Sequence, residues 1–174
     1  GLTVEGDWSN AAFFLAAKAL GSDINVVNLN LDSPQGDRAC AELLPALVQG
    51  RQTICAADIP DLVPILAVVA AASHGAVFTD IERLRLKESD RVESVISMLE
   101  ALDGEASATE NTLTVVGTGL RGGTVDSRND HRIAMAAAIA ATVCKNPVTI
   151  LEAQCVEKFT EYGKSGGSYE QHLR

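Results

Sequence analysis

The sequence predicts an α/β domain assembled from small repeated units, and three observations carry that prediction. Short β-branched runs alternate with helical stretches along the whole chain. Two of the helical stretches, Pro64–Ala72 and Ile133–Val143, are apolar on nearly every face, so they must be enclosed. Hydrophobic residues make up 47% of the 174 residues but aromatics only 4%, so small aliphatic side chains must form a closely packed core. Residues 1–174 read as one domain.

The elements follow in order. Leu2–Val4 reads as a short strand, and Ser9 as the cap of a helix from Asn10 to Leu20 that Gly21 ends. Ile24–Leu29 reads as a strand, followed by a loop at Ser33–Asp37. A helix over Arg38–Val48 comes next, with Pro45 as a kink. Gln52–Ala56 is a strand. Asp58-Ile59-Pro60-Asp61 opens a helix running through Ala72, which places Asp61 in its first turn. Ala76–Leu86 reads as one long strand. Glu88–Leu102 is amphipathic, with Val92, Val95, Ile96, Leu99 and Leu102 at helical spacing. Ala106–Ala108 and Thr112–Val116 pair as a hairpin, and Gly122-Gly123 is a turn. Asn129 or Asp130 caps a helix to about Cys144, and Pro147–Leu151 is the last strand. The tail from Phe159 is polar until a short final helix.

Net charge is −9, which excludes a nucleic-acid-binding surface. No apolar run is long enough to span a bilayer, and no secretory signal is visible. The chain begins at Gly1, which reads as a processed or excised piece. Cys40, Cys55, Cys144 and Cys155 show no metal-ligand spacing and read as free thiols in a reducing, cytoplasmic compartment.

Against that acidic background, basic residues gather at element ends. Lys87 and Arg91 lie four apart at a helix start, where they share one face of the first turn and repel unless an anion sits between them. Arg132 stands at another helix start, where the helix dipole disfavours a cation. Asp61 is either a dipole-favoured cap or a base facing a cleft. Lys158 and Lys164, taken alone, are solvated. Neither GxGxxG nor GxxxxGK[ST] is present, so phosphate would be held by side chains and helix ends. Focused cations in an acidic chain point to a small anionic ligand.

The run Lys87-Glu88-Ser89-Asp90-Arg91 resembles the K-E-[ST]-D-R signature of 5-enolpyruvylshikimate-3-phosphate synthases, and Asn129-Asp130-His131-Arg132 resembles their second signature. Val4–Ser9, Gln35-Gly36-Asp37, Ile59-Pro60-Asp61 and Pro147–Ile150 fall in the family's order. The resemblance implies a domain of βαβαββ units with buried helices enclosed by sheets. It implies transfer of enolpyruvyl from phosphoenolpyruvate to the 5-hydroxyl of shikimate-3-phosphate, without a cofactor or metal. By the same resemblance Asp61, Lys87 and Glu88 are catalytic. Asp61, Lys87, Arg91, Arg132 and either Lys158 or Lys164 bind substrate. It further implies that this chain is the carboxy-terminal domain alone, needing an amino-terminal partner domain and turning over little or nothing by itself. Arg83 departs from the family, which often has asparagine there, and the stretch between Asp37 and Asp61 is short. Two other readings are a fragment of the related UDP-N-acetylglucosamine enolpyruvyl transferase and a non-catalytic binding domain.

Overall fold

A computed structural model describes residues 2–5, 8–21, 24–27, 40–87 and 89–151. Its elements are β1 (Leu2–Glu5), α1 (Trp8–Ala19), β2 (Ile24–Val27), α2 (Cys40–Gln49), β3 (Gln52–Cys55), α3 (Val63–Ala72) and β4 (Ala76–Thr79). They continue with α4 (Arg91–Ala101), β5 (Glu105–Ala108), β6 (Thr112–Val116), β7 (Gly123–Asp126), α5 (His131–Ala140) and β8 (Val148–Leu151). The middle of the chain, β3-α3-β4-α4-β5-β6, forms one full βαβαββ unit with strand order β3-β4-β6-β5. β3 and β4 run parallel, and the β5–β6 hairpin is added antiparallel to β4. The flanking units contribute the parallel pairs β1–β2 and β7–β8. Each of these pairs is bridged by a helix, as parallel pairing requires.

The bridging helices meet inside. α3 packs on α1, α2, α4 and α5, and Val63 through Ala71 are all buried. In α5, Ile133 through Ala140 are buried. Alanine lets these helices approach closely, which explains a core poor in aromatics. Phe78 on β4 is an aromatic side chain within this core. Burying each of the larger aliphatic side chains in this layer contributes roughly 1.5–3 kcal/mol before chain entropy is set against it.

Several boundaries differ from the sequence reading. α1 starts at Trp8, so Ser9 lies inside the helix rather than capping it. α3 starts at Val63 with Pro64 in its first turn, so Asp61 precedes the helix in a turn. Ala76–Leu86 is not one strand. Asp80 takes a left-handed conformation (φ 54°) that an acidic side chain tolerates, and the chain turns into a short 3₁₀ helix over Glu82–Leu86. Leu84 is consequently buried and Leu86 is 85% exposed, whereas a strand would put both on one face. α4 begins at Arg91 behind the Asp90 cap, so Lys87 is extended chain outside the helix. Asp130 caps α5 by accepting from the Arg132 amide, while Asn129 is left-handed (φ 57°). Gly123, read as part of a turn, starts β7, which the sequence reading missed. The glycine is obligatory there because a Cβ would collide with the Ala101 carbonyl at the end of α4.

Candidate functional site

Three helix entrances meet at one point. Arg91, the first residue of α4, is 2% exposed. Its Nε donates to Asp130 Oδ2 at 2.9 Å and its Nη2 to Asp130 Oδ1 at 3.2 Å, which ties α4 to the cap of α5. Its Nη1 donates to Asp61 Oδ1 at 2.7 Å, which ties α4 to the turn before α3. The Lys87 ammonium lies 3.6 Å from the same Asp61 oxygen. The positive ends of α3, α4 and α5 therefore converge with three carboxylate or cation partners around Asp61.

The electrostatics follow from that geometry. Burial by itself would raise the Asp61 pKa. The Arg91 hydrogen bond and the Lys87, Arg132 and Arg91 charges outweigh burial and hold it below the ordinary carboxylate value. Asp61 is thus ionised at neutral pH. Both neighbouring cations contact Oδ1. Burial disfavours the charged Arg91, but its bonds to Asp130 and Asp61 reverse this, and its pKa is raised. Arg91 is a permanent cation held in one orientation. Counting Lys87, Arg91 and Arg132 against Asp61 and Asp130, the cluster carries a positive excess inside a chain of net charge −9. That excess favours an anionic ligand.

Asp61, Lys87 and Arg91 are therefore in direct contact, and Arg132 is close enough for its charge to act on Asp61. Glu88, Lys158 and Lys164 lie outside the described residues. Sequence reasoning treated Asp130 only as a possible cap and passed over Ser89 and Ser94. Ser89 Oγ donates to Asp130 Oδ2 at 2.8 Å, and the buried Ser94 Oγ donates to Ser89 Oγ at 2.8 Å. A serine inside an otherwise apolar helix face, five positions after another serine, was the available signal for this pair. Among the described residues no group of His, Cys, Asp and Glu could hold a metal ion. No helix among them is long and apolar enough to cross a membrane. A groove lined by Ser73, His74, Leu120, Val143 and Lys145 opens at the far end of α3 and has no part in this cluster.

The buried helices, the three sheets and the cationic cluster at the helix entrances define an α/β domain with a candidate anion site where three helices begin. Its fold matches a solved structure of EPSP synthase from Acinetobacter baumannii with a TM-score of 0.70 at 22% identity, covering 92% of this chain and 44% of that one. A second structure of that enzyme matches with a TM-score of 0.67 at 20% identity. The family model described as EPSP synthase (3-phosphoshikimate 1-carboxyvinyltransferase) matches residues 1–162, and the chain belongs to that family. A 3-phosphoshikimate 1-carboxyvinyltransferase of Clostridium novyi is 39% identical over 191 aligned positions, covering 97% of this chain and 44% of the relative. One from Clostridium acetobutylicum is 42% identical over 171 positions, covering 89% and 40%. The chain thus spans less than half the length of the relatives it matches.

Proposed function

We propose that this chain is the carboxy-terminal half of a 3-phosphoshikimate 1-carboxyvinyltransferase. In this reading it binds phosphoenolpyruvate and presents it to the 5-hydroxyl of shikimate-3-phosphate, in a cleft completed by an amino-terminal domain. The observation that carries the reading is Asp61 Oδ1 held by both Arg91 and Lys87 at the meeting point of three helix entrances. The reaction needs a C–O bond from the acceptor hydroxyl to the central carbon of the enol, with the hydroxyl proton leaving to a base and a proton arriving at the methylene carbon. A tetrahedral intermediate then loses phosphate and that proton. Asp61 accepts from the hydroxyl and orients it. Lys87, beside it, stabilises the negative charge that develops on oxygen. Arg91 and Arg132 hold the carboxylate and phosphate of the donor, joined by Lys158 or Lys164 from the tail. Glu88 handles the proton at the methylene carbon.

The test is reconstitution. The chain is mixed with the amino-terminal remainder of the Clostridium acetobutylicum relative, and phosphate release is followed with phosphoenolpyruvate and shikimate-3-phosphate. The pair is expected to release phosphate, and each half alone to release little or none. A silent pair, together with a chain that binds no phosphoenolpyruvate by calorimetry, would remove the basis of the proposal. Turnover with UDP-N-acetylglucosamine in place of shikimate-3-phosphate would redirect it to the related transferase.

A further inference from the structure

Asp130 is wholly buried, and it is an acid at the centre of a cluster suited to anions. Its charge repels any anionic ligand and offsets part of the attraction from Lys87, Arg91 and Arg132. What it gives in return is geometry. The two-point contact with Nε and Nη2 of Arg91 fixes both the place and the plane of that guanidinium. The Oδ1 atom also accepts from the Arg132 amide at 3.0 Å and so fixes the entrance of α5. The Oδ2 atom receives Ser89, itself held by Ser94. Arg128 and Asn129, both left-handed (φ 54° and 57°), deliver Asp130 into this position, and the Asp126 carboxylate accepts from the Arg128 amide at 2.8 Å.

We propose that Asp130 is a positioning residue: it keeps Arg91 in one plane and in fixed relation to Arg132, with Ser89 and Ser94 steering its carboxylate. The Nη1 edge of Arg91 is then held against Asp61 Oδ1. A planar carboxylate ligand needs that alignment, whereas a near-spherical phosphate needs mainly charge. The inference rests on the anion-site reading above.

Calorimetry on the chain and on Asp130→Asn, with phosphoenolpyruvate and inorganic phosphate as probes, tests it. Asparagine keeps an oxygen for the cap but removes the charge and one arm of the fork. Positioning predicts phosphoenolpyruvate binding weaker by about tenfold, the equivalent of one charged hydrogen bond. It also predicts inorganic phosphate binding unchanged or tighter, because the site becomes more positive. Both anions binding tighter would mean that Asp130 merely dilutes charge, and both weakening in parallel would mean that it merely supports the fold. Either result overturns the proposal. Ser89→Ala keeps every charge and decides the matter if the asparagine variant does not fold. It should weaken phosphoenolpyruvate alone by about threefold, the effect of one neutral hydrogen bond, and no change would count against the proposal. If the wild-type chain binds neither anion, the site reading itself fails and takes this inference with it, and the wild-type titration alone reveals that case.

Discussion

Replacing Arg91 by methionine should destabilise the domain more than any other single change at the site. Methionine is similar in length and apolar, so the cavity left is small. The damage is electrostatic. Asp130 is 0% exposed and loses two charge-assisted bonds, at 2.9 and 3.2 Å, while retaining Ser89 at 2.8 Å and the Arg132 amide at 3.0 Å. Removing one partner of a buried pair costs about 3–5 kcal/mol because the other charge stays buried without compensation. The Asp61 contact adds little, since that side chain is 36% exposed and water screens it. For a domain of this size each kcal/mol moves the thermal midpoint by roughly 2–4 °C, so a fall of about 6–20 °C follows. The assay is thermal and urea unfolding of wild type, Arg91→Met, Asp130→Asn and the double variant. The double variant should lose much less than the sum of the singles, because neither partner is then left alone. A loss below about 1 kcal/mol for Arg91→Met, or strict additivity of the cycle, would refute a buried, mutually dependent pair.

Three further outcomes follow from the same structure. The folded Asp61 pKa lies below its unfolded value, so its stabilising contribution is fully present above about pH 4 and is lost as pH falls through the folded value. Asp61→Asn should therefore flatten the acid limb of the stability profile in urea titrations below pH 4, lower stability at pH 7 by up to about 1 kcal/mol, and lower phosphate release by about 10²–10⁴-fold in the reconstituted pair. Gly75→Ala should cost about 1–3 kcal/mol by urea midpoint, because Gly75 is left-handed (φ 85°) and a Cβ would stand 2.6 Å from the Val115 carbonyl oxygen. Leu66→Ala, at the centre of α3 and 0% exposed, should cost about 2–5 kcal/mol in the same measurement while the anion affinity of the folded fraction stays unchanged.

Hydrophobic patterning determined much of this protein by itself. The all-round apolar character of Val63–Ala72 and Ile133–Ala140 required enclosed helices, and both are enclosed. The period of Val92, Val95, Leu99 and Leu102 determined which face of α4 is buried. The gathering of Lys87, Arg91 and Arg132 at element ends was likewise legible, because charge and helix boundaries are local properties. The tertiary structure decided the rest. β7 has one core side chain, Val125, and no β signal strong enough to stand alone. It is a strand because β8 lies alongside to pair with it. The break after Thr79 depends on Asp80 adopting a left-handed turn, where its Oδ2 receives both Thr79 Oγ1 and Cys55 Sγ at 3.3 Å. The partnership of Asp61, Arg91 and Asp130 spans 30 and 39 residues of sequence. No local pattern encodes it, because it exists only where two helices of the middle unit and one of the next bring their entrances together, and that convergence is a product of packing.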